Sequence, residues 1–433
     1  MLPQNNEKRL KIAIIGGGPA GLGAAIELAK LPFTDWKLYE KRPQLSEIGG
    51  GFSLQPQTWR LLERNGVARS LSADDYFRSA DGHVEQRRHA RPSNGRTGEL
   101  LVVKYNPDDL ASKHHSCRLI RAKLQSALLE HVDQTRIHLS KRLVHLEHLK
   151  NSQVKLIFAD GTEDTVELVV AADGIRSCIR NFSFPDHKLQ YSGQSVYRTI
   201  ISKTAASKID GIPWAPVFWK HVSGLYVYTC PLGNDDFEVT ARIRRPQEHL
   251  EPTSWGQPFK LDFLLHEYKD FCLPIRQILS LAAEADTQEF ALFSGPHLKQ
   301  VTSSGSIAFV GDSSHAMLGN FGSGAGFALE DVYTLTRVLD RAWLKQESLS
   351  SALDLYSSIR SPHYERLYGV IERFTSIKVA LRAERLGLDD EIAERIRRIS
   401  QASESWMFHY RIDQAVDNAL AKADETSLDA QKR

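Results

Sequence analysis

The stretch from Lys11 to Leu28 constrains the fold more than any other part of the chain. Ile12, Ala13, Ile14 and Ile15 form a short, largely β-branched apolar run, as expected of a strand buried on both faces of a parallel sheet. Gly16, Gly18 and Gly21 follow in the spacing G-x-G-x-x-G, and a helix-forming run begins at once. In such a turn Gly16 permits the tight bend, Gly18 lets a pyrophosphate approach the backbone, and Gly21 lets helix and strand pack closely. The N–H groups at the helix N-terminus then face the phosphates. A second strand, Trp36 to Tyr39, ends in Glu40, at about the ~20-residue distance expected of a ribose hydroxyl acceptor. Together these features point to a dinucleotide without saying which one.

Two later stretches repeat the pattern of an apolar strand ending in a turn. Leu168 to Arg180 runs from LVVA into Asp173 and Gly174, with Ser177 and Arg180 following. Ile307 to Leu335 runs into Gly311 and Asp312, then past His315 to a turn holding Gly322, Gly324, Ala325 and Gly326, and into a helix with Glu330 and Asp331. Each places a carboxylate and bare N–H groups at the C-terminal edge of a sheet, where α/β proteins bind ligands. His315 reads as a structural residue of its turn.

The rest of the chain reads as follows. Glu47 to Gln57 is a glycine-rich loop leading into a helix from about Thr58 to Arg64; Gly49 to Gly51 either connect elements or cover a flat cofactor. Ala80 to Gly98, rich in Arg, His and Asn, reads as a solvated excursion. Arg121, where a strand feeds a helix, sits over the cofactor or faces water. From Phe184 to Leu292, β-branched and aromatic residues alternate or cluster, which predicts a mostly antiparallel sheet. It carries Arg198, Tyr226, Tyr228, Arg242 and an apolar group of Trp214, Phe218 and Trp219. A loop from Pro246 to Gln257 and a helical piece from Leu261 to Ala283 interrupt it. Leu329 to about Arg385 is helical. Beyond Glu391 an apolar face with Ile396, Ile399, Trp406 and Phe408 covers the sheet or meets another subunit, and Thr426 to Arg433 reads as a disordered tail.

At 433 residues two domains are expected. With 55 basic and 53 acidic residues, no global field favours nucleic acid or an anionic membrane. Four cysteines without C-x-x-C or metal spacing predict reduced thiols and no metal site. No run approaches the ~20 apolar residues of a membrane span, so a cytoplasmic protein without stable membrane insertion is expected.

The triple GGGPAG at Gly16 to Gly21, ADGIRSCIR at Ala172 to Arg180 and GDSSHAMLGNFGSGAG at Gly311 to Gly326 resembles the single-component FAD-dependent aromatic hydroxylases. These are the salicylate hydroxylase-like branch of group A flavoprotein monooxygenases, which includes secondary-metabolite enzymes. The likeness covers roughly Arg9 to Gly369. It implies an α/β fold: a Rossmann-like FAD-binding domain, a second, mostly antiparallel β-sheet substrate domain, and C-terminal helices. The division would be 1–183 for the first part of the FAD domain and 184–295 for the substrate sheet. Residues 296–390 would form the second FAD part with packing helices, and 391–433 a helical extension and tail.

Residue by residue, the resemblance implies that Gly16, Gly18 and Gly21 hold the FAD pyrophosphate and Glu40 the adenosine ribose. Arg121 would contact the cofactor, and Asp173 would serve FAD and, transiently, NADPH or NADH. Asp312 would take ribitol hydroxyls, with Gly322, Gly324, Ala325 and Gly326 near the isoalloxazine. Gly51 belongs to a loop that would let the flavin swing. The implied chemistry is a flavin C4a-hydroperoxide transferring one oxygen of O2 to an electron-rich aromatic or polycyclic natural product. Arg198 is the candidate to pair a phenolate or that hydroperoxide, or is a solvated edge-strand arginine. Tyr226 or Tyr228 would hydrogen-bond a substrate oxygen, or belong to the core.

The chain departs from the family where Gly319 replaces a usual proline and where Phe321 and Phe327 replace a polar residue, often glutamine. This puts plain ortho-hydroxylation of a small phenol in doubt. Epoxidation of an indole or alkene, and a flavoprotein that does not oxygenate, remain as alternatives; a halogenase is disfavoured because no W-x-W-x-I-P stretch occurs. A monomer or weak homodimer is expected.

Overall fold

The structure is a computed structural model that describes residues 9–46, 49–90, 98–150, 152–246, 255–317, 319, 321–402 and 406–431. Outside them lie the start of the expected glycine-rich loop (Glu47, Ile48), part of the expected excursion (91–97), most of the Pro246–Gln257 loop, Leu318 and Asn320 of the third motif, and the last two residues; the side chains of Phe408 and 427–431 are likewise outside.

Among the described residues a six-stranded sheet has Leu10–Ile15 near its centre. It pairs in parallel with Leu168–Ala171 on one side and Thr34–Tyr39 on the other, with Ile15 opposite both Ala171 and Tyr39. Ile307–Phe309 adds in parallel beyond, Phe309 opposite Ala171. This register brings Gly16, Glu40, Ala172 and Val310 out at one edge, so the three turns converge there as their sequences predict. Ile12, Ile14, Val170 and Ala308 are at most 1% exposed, which accounts for apolar runs without alternation. Helices Pro19–Leu28 and Gly324–Lys345 cover one face, and the antiparallel strands Leu143–His148, Val154–Phe158 and Glu163–Val166 the other.

A second, eight-stranded sheet runs in the order Trp255–Phe259, Thr287–Ser294, Gln190–Ser202, Asp236–Arg244, Tyr226–Pro231, Val217–Lys220, His83–His89 and Leu100–Tyr105. Its pairings are antiparallel except that between Val217–Lys220 and His83–His89. One face buries Tyr197, Trp219, Val227, Phe237 and Val239 against helix Leu273–Ala283. The opposite face carries Arg198, Phe218, Tyr226, Tyr228 and Arg242, because these positions pair across neighbouring strands or lie two apart along them.

Several expectations are corrected. The excursion from Ala80 is not simply solvated: His83–His89 is a strand of the large sheet. Its residues are polar on both faces, so it lacks the period-two apolar signal. Gly51–Leu54 is a strand, not loop, because it pairs with Cys117–Ile120. The apolar trio divides: Trp219 is buried on one face, Phe218 lies on the other, and Trp214 is 47% exposed. The piece from Leu261 is a 3₁₀ segment, Leu261–Tyr268, followed by helix Leu273–Ala283. The expected disordered tail is helical as far as Gln431, as the end of Ile412–Gln431. Among the described residues no helix is long and apolar enough to cross a membrane.

Candidate functional site

The first turn packs so closely on its neighbours that only glycine fits. Gly16 has φ +112°, and a Cβ there would lie 2.3 Å from the Ala172 carbonyl oxygen; a Cβ on Gly21 would lie 1.8 Å from that of Gly16. Gly18 caps helix Pro19–Leu28 without a side-chain hydrogen bond, leaving the helix N-terminus open to an anion. Glu40, at the end of its strand, accepts from Gly17 N at 2.7 Å and Arg42 N at 2.9 Å.

At the second turn Asp173 Oδ2 accepts from Cys178 N at 2.8 Å and Ile179 N at 3.3 Å. Among the described residues its buried Oδ1 has no hydrogen-bond partner, and burial holds the carboxyl above its ordinary pKa. Ser177 is the cap of helix Cys178–Ser183. Arg180 ties this turn to the third, donating to Ile175 O at 2.6 Å and Ser313 O at 3.0 Å.

In the third turn Asp312 is exposed, and its Oδ1 lies 3.6 Å from where a Gly324 Cβ would stand at the N-terminus of helix Gly324–Lys345. The cap residue Ser323 has a buried hydroxyl without a partner among the described residues. A Cβ on Gly326 would lie 2.2 Å from Thr58 Oγ1, so the helix rests directly on its neighbour, with Ala325 half-buried beside it. Gly322 has φ +64° and Gly319 φ +67°, with nothing among the described residues within 4 Å of a Gly319 Cβ. The proline ring fixes φ near about −65°, so the backbone here follows a path proline cannot take. Phe327 is 1% exposed, edge-on to His315 and His363, and belongs to the core beneath the turn.

Under that core Glu330, Asp331 and Arg360 are all 0% exposed. Arg360 donates from Nε to Asp331 at 2.7 Å and from Nη2 to Glu330 at 3.1 Å and Tyr364 at 2.9 Å; Tyr364 donates to Asp331. Asp331 Oδ2 accepts from Gly311 N at 2.8 Å and meets His315 Nε2 at 3.1 Å, so His315 is structural, as expected. Burial pushes the Glu330 carboxyl up to about 7. This network joins residues some thirty positions apart, and the sequence signals only its two carboxylates.

Gly49 to Gly51 lie against the polar face of the large sheet. Cβ atoms on them would stand 3.1 Å from the Phe290 ring, 2.6 Å from Glu238 Oε1 and 2.7 Å from Leu232 Cδ2 respectively. Arg118 holds the segment: it pairs with Glu238 at 2.7 Å and donates to Gly51 O at 2.9 Å and Ser53 Oγ at 3.1 Å. Sequence reading missed Arg118 and Glu238; the one available signal was a charge inside each short strand. Arg121 is the first residue of helix Arg121–Leu129.

Arg198 lies over the Phe290 ring at 5.3 Å. Among the described residues its buried Nε has no hydrogen-bond partner and no carboxylate pairs with it. Burial, then the nearby Arg121, pushes its pKa down to about 10. It is therefore not a solvated edge arginine: its strand has neighbours on both sides. Tyr228 is 6% exposed, beneath Arg118 at 4.7 Å. Tyr226 is half-buried and accepts from Arg242 Nη1 at 3.3 Å. Among the described residues no cluster could hold a metal, and the four cysteines are free.

The family model described as an FAD binding domain matches residues 9–369. Salicylate hydroxylase from Pseudomonas putida is 26% identical over 95% of this chain and 94% of its own. 2-Heptyl-3-hydroxy-4(1H)-quinolone synthase from Pseudomonas aeruginosa is 27% identical over 76% and 80%. Among solved structures, a salicylate hydroxylase substrate complex superposes with TM-score 0.76 at 22% identity, covering 95% of this chain and 98% of that one. CtdE in complex with FAD and substrate 4 gives 0.76 at 17%, covering 97% and 100%.

Proposed function

The chain belongs to the FAD-binding-domain family, and on that premise we propose that this FAD-dependent monooxygenase takes electrons from NADPH or NADH and inserts one oxygen atom of O2 into an electron-rich aromatic or polycyclic natural product. The observation that carries the reading is the path of Gly49–Gln55, whose glycines lie against the polar face bearing Arg198, a guanidinium without a carboxylate partner among the described residues, while Ser53 lies 3.6 Å from where a Gly322 Cβ would stand and Gln55 donates to Phe321 O in the third turn. FAD, when bound, supplies reducing equivalents from the nicotinamide and the activation of O2.

The chain's own residues bind, orient and exclude water. Gly16, Gly18 and Gly21 take the pyrophosphate and Glu40 the adenosine ribose. Asp173 and Asp312 offer carboxylates to cofactor hydroxyls, and Gly322, whose own N–H donates to Gly319 O, leads into the open N–H groups of Gly324, Ala325 and Gly326 at the start of their helix, which would face the ring system. Glu40, the lone Asp173 oxygen, the Ser323 hydroxyl and the backbone cradle fit such a ligand. Gly51 and its neighbours, clamped by Arg118, close the cofactor side against the sheet. Arg198 holds the negative charge of a phenolate or of the reacting oxygen, with Tyr228 and Tyr226 lining the same face. In this division 1–183 and 296–390 serve the cofactor and 184–295 the substrate, joined by the strand pair from His83 to Tyr105.

Asp173→Asn is expected to weaken FAD retention by about tenfold, the size of one charge-assisted hydrogen bond; fluorescence of released flavin on dilution measures it, and unchanged retention removes Asp173 from the site. Arg198→Met is expected to keep FAD but lower product formation by about 100-fold, as when one preorganised donor is removed. NAD(P)H consumption should then yield peroxide instead of product, and wild-type coupling would refute the role.

A further inference from the structure

Glu238 stands near two arginines and serves one of them. Antiparallel register puts Arg198 opposite Thr240 and Ile200 opposite Glu238, so Glu238 and Arg198 share a face as diagonal neighbours. Such neighbours are about 7–8 Å apart, within reach of long side chains. A Cβ on Gly50 would meet both, 2.6 Å from Glu238 Oε1 and 3.5 Å from Arg198 Cδ, and the two charges are close enough to interact. The carboxylate is nevertheless turned to Arg118, on the strand Cys117–Ile120 of another sheet. Glu238 Oε2 accepts from Arg118 Nε at 2.8 Å and lies 2.7 Å from its Nη2, while Oε1 accepts from Thr240 Oγ1 at 3.0 Å.

Arg118 is fixed by more than this pair. It donates from Nη1 to Ser53 Oγ at 3.1 Å and from Nη2 to Gly51 O at 2.9 Å, and it lies over the Tyr228 ring at 4.7 Å. Glu238 is 1% exposed, and a carboxylate at that depth needs a cation or a proton. Arg118 meets that need. Without it, Arg198 is the cation on the same face within reach, and a guanidinium neutralised by Glu238 would no longer attract the negative charge of a ligand. The arrangement therefore accounts for a costly feature, a buried arginine without a counter-ion beside a buried carboxylate that could serve it.

We propose that Arg118 is a positioning residue: by keeping Glu238 to itself it withholds a counter-ion from Arg198, which stays free to take the negative charge of an aromatic substrate or of the reacting oxygen. The role of Arg198 rests on the monooxygenase reading, whereas the exchange of partners by Glu238 does not.

FAD-loaded protein is titrated with 4-nitrophenolate, followed by the absorbance of the probe. Arg198→Met and Arg118→Met are each expected to weaken the phenolate by about tenfold, the size of one charge-assisted hydrogen bond, with the flavin spectrum retained. Adding Glu238→Gln to Arg118→Met is expected to restore affinity to within about threefold of wild type, because the amide has no charge to set against Arg198. Loss of an anchor for Gly51 and Ser53 would not be rescued in this way. A double variant as weak as Arg118→Met overturns the proposal, and so does wild-type affinity in Arg118→Met where Arg198→Met is weak. The crystal structure of Arg118→Met is expected to show Glu238 within about 4 Å of the Arg198 guanidinium; a carboxylate left on Thr240 alone overturns it. Arg118→Gln, which keeps a donor for Gly51 O, is judged by the same outcomes if Arg118→Met does not fold. Wild-type affinity in Arg198→Met, with Glu238 turned to Arg198 in the variant structure, leaves the exchange standing and refutes the charge-binding role of Arg198 in the monooxygenase reading.

Discussion

Gly21→Val is expected to be purified without FAD and to regain less than about 1% of wild-type affinity when FAD is added, a loss of at least about 2.7 kcal/mol. A Cβ at this position would lie 1.8 Å from the carbonyl oxygen of Gly16, and no rotamer relieves a clash that begins at Cβ. The helix Pro19–Leu28 would have to move off the strand Leu10–Ile15, opening the turn and displacing the N–H groups proposed to take the phosphates. The large sheet has its own core around Trp219, Phe237 and Ile278, so far-ultraviolet dichroism should retain most of its strand signal. A yellow Gly21→Val protein with near-normal affinity would show that the ligand does not sit on this turn.

Arg360→Met is expected to be the most destabilising single side-chain change outside the glycine turns. The guanidinium serves Asp331, Glu330 and Tyr364, all fully or nearly fully buried. Removing it leaves two carboxylates in the interior without their cation, which costs about 3–5 kcal/mol. Asp331 also accepts from Gly311 N, so the third turn should loosen and FAD retention fall with stability. Arg360→Lys should recover only part of the loss, because an ammonium cannot reproduce the fork that reaches both carboxylates. Denaturant unfolding followed by flavin and tryptophan fluorescence measures both effects; a change under about 1 kcal/mol would mean that the pair is dispensable.

The sequence disclosed those parts of the molecule whose chemistry is local. A strand such as IAII followed at once by a glycine turn is written in adjacent residues, and three such units determine the cofactor sheet because their registers align Ile15, Tyr39, Ala171 and Phe309. The strand HVEQRRH escaped notice because its run of charged and polar residues leaves no apolar alternation to detect. Its pairing with Val217–Lys220 lies more than a hundred residues away. Arg118 with Glu238 and Arg360 with Asp331 were invisible for the same reason: an ion pair between distant residues has no spacing rule. Arg198 could be singled out as a candidate from its strand, but its lack of a carboxylate partner among the described residues depends on tertiary packing, which brings Arg118 and Arg121 toward it and leaves Glu238 to Arg118. At Gly319 the sequence showed which residue was changed, and the structure adds that φ is +67°.

The central claim is that the site transfers one oxygen atom from O2 to an aromatic ring. The most direct test is turnover of the FAD-loaded protein with NADPH or NADH and a panel of phenols, aromatic acids and indoles under ¹⁸O₂, with mass spectrometry of the product. The account predicts that at least one compound accelerates nicotinamide oxidation and gains a single labelled oxygen, one atom for each nicotinamide consumed. Nicotinamide oxidation that produces only peroxide with every compound, or product oxygen drawn from water, would contradict it.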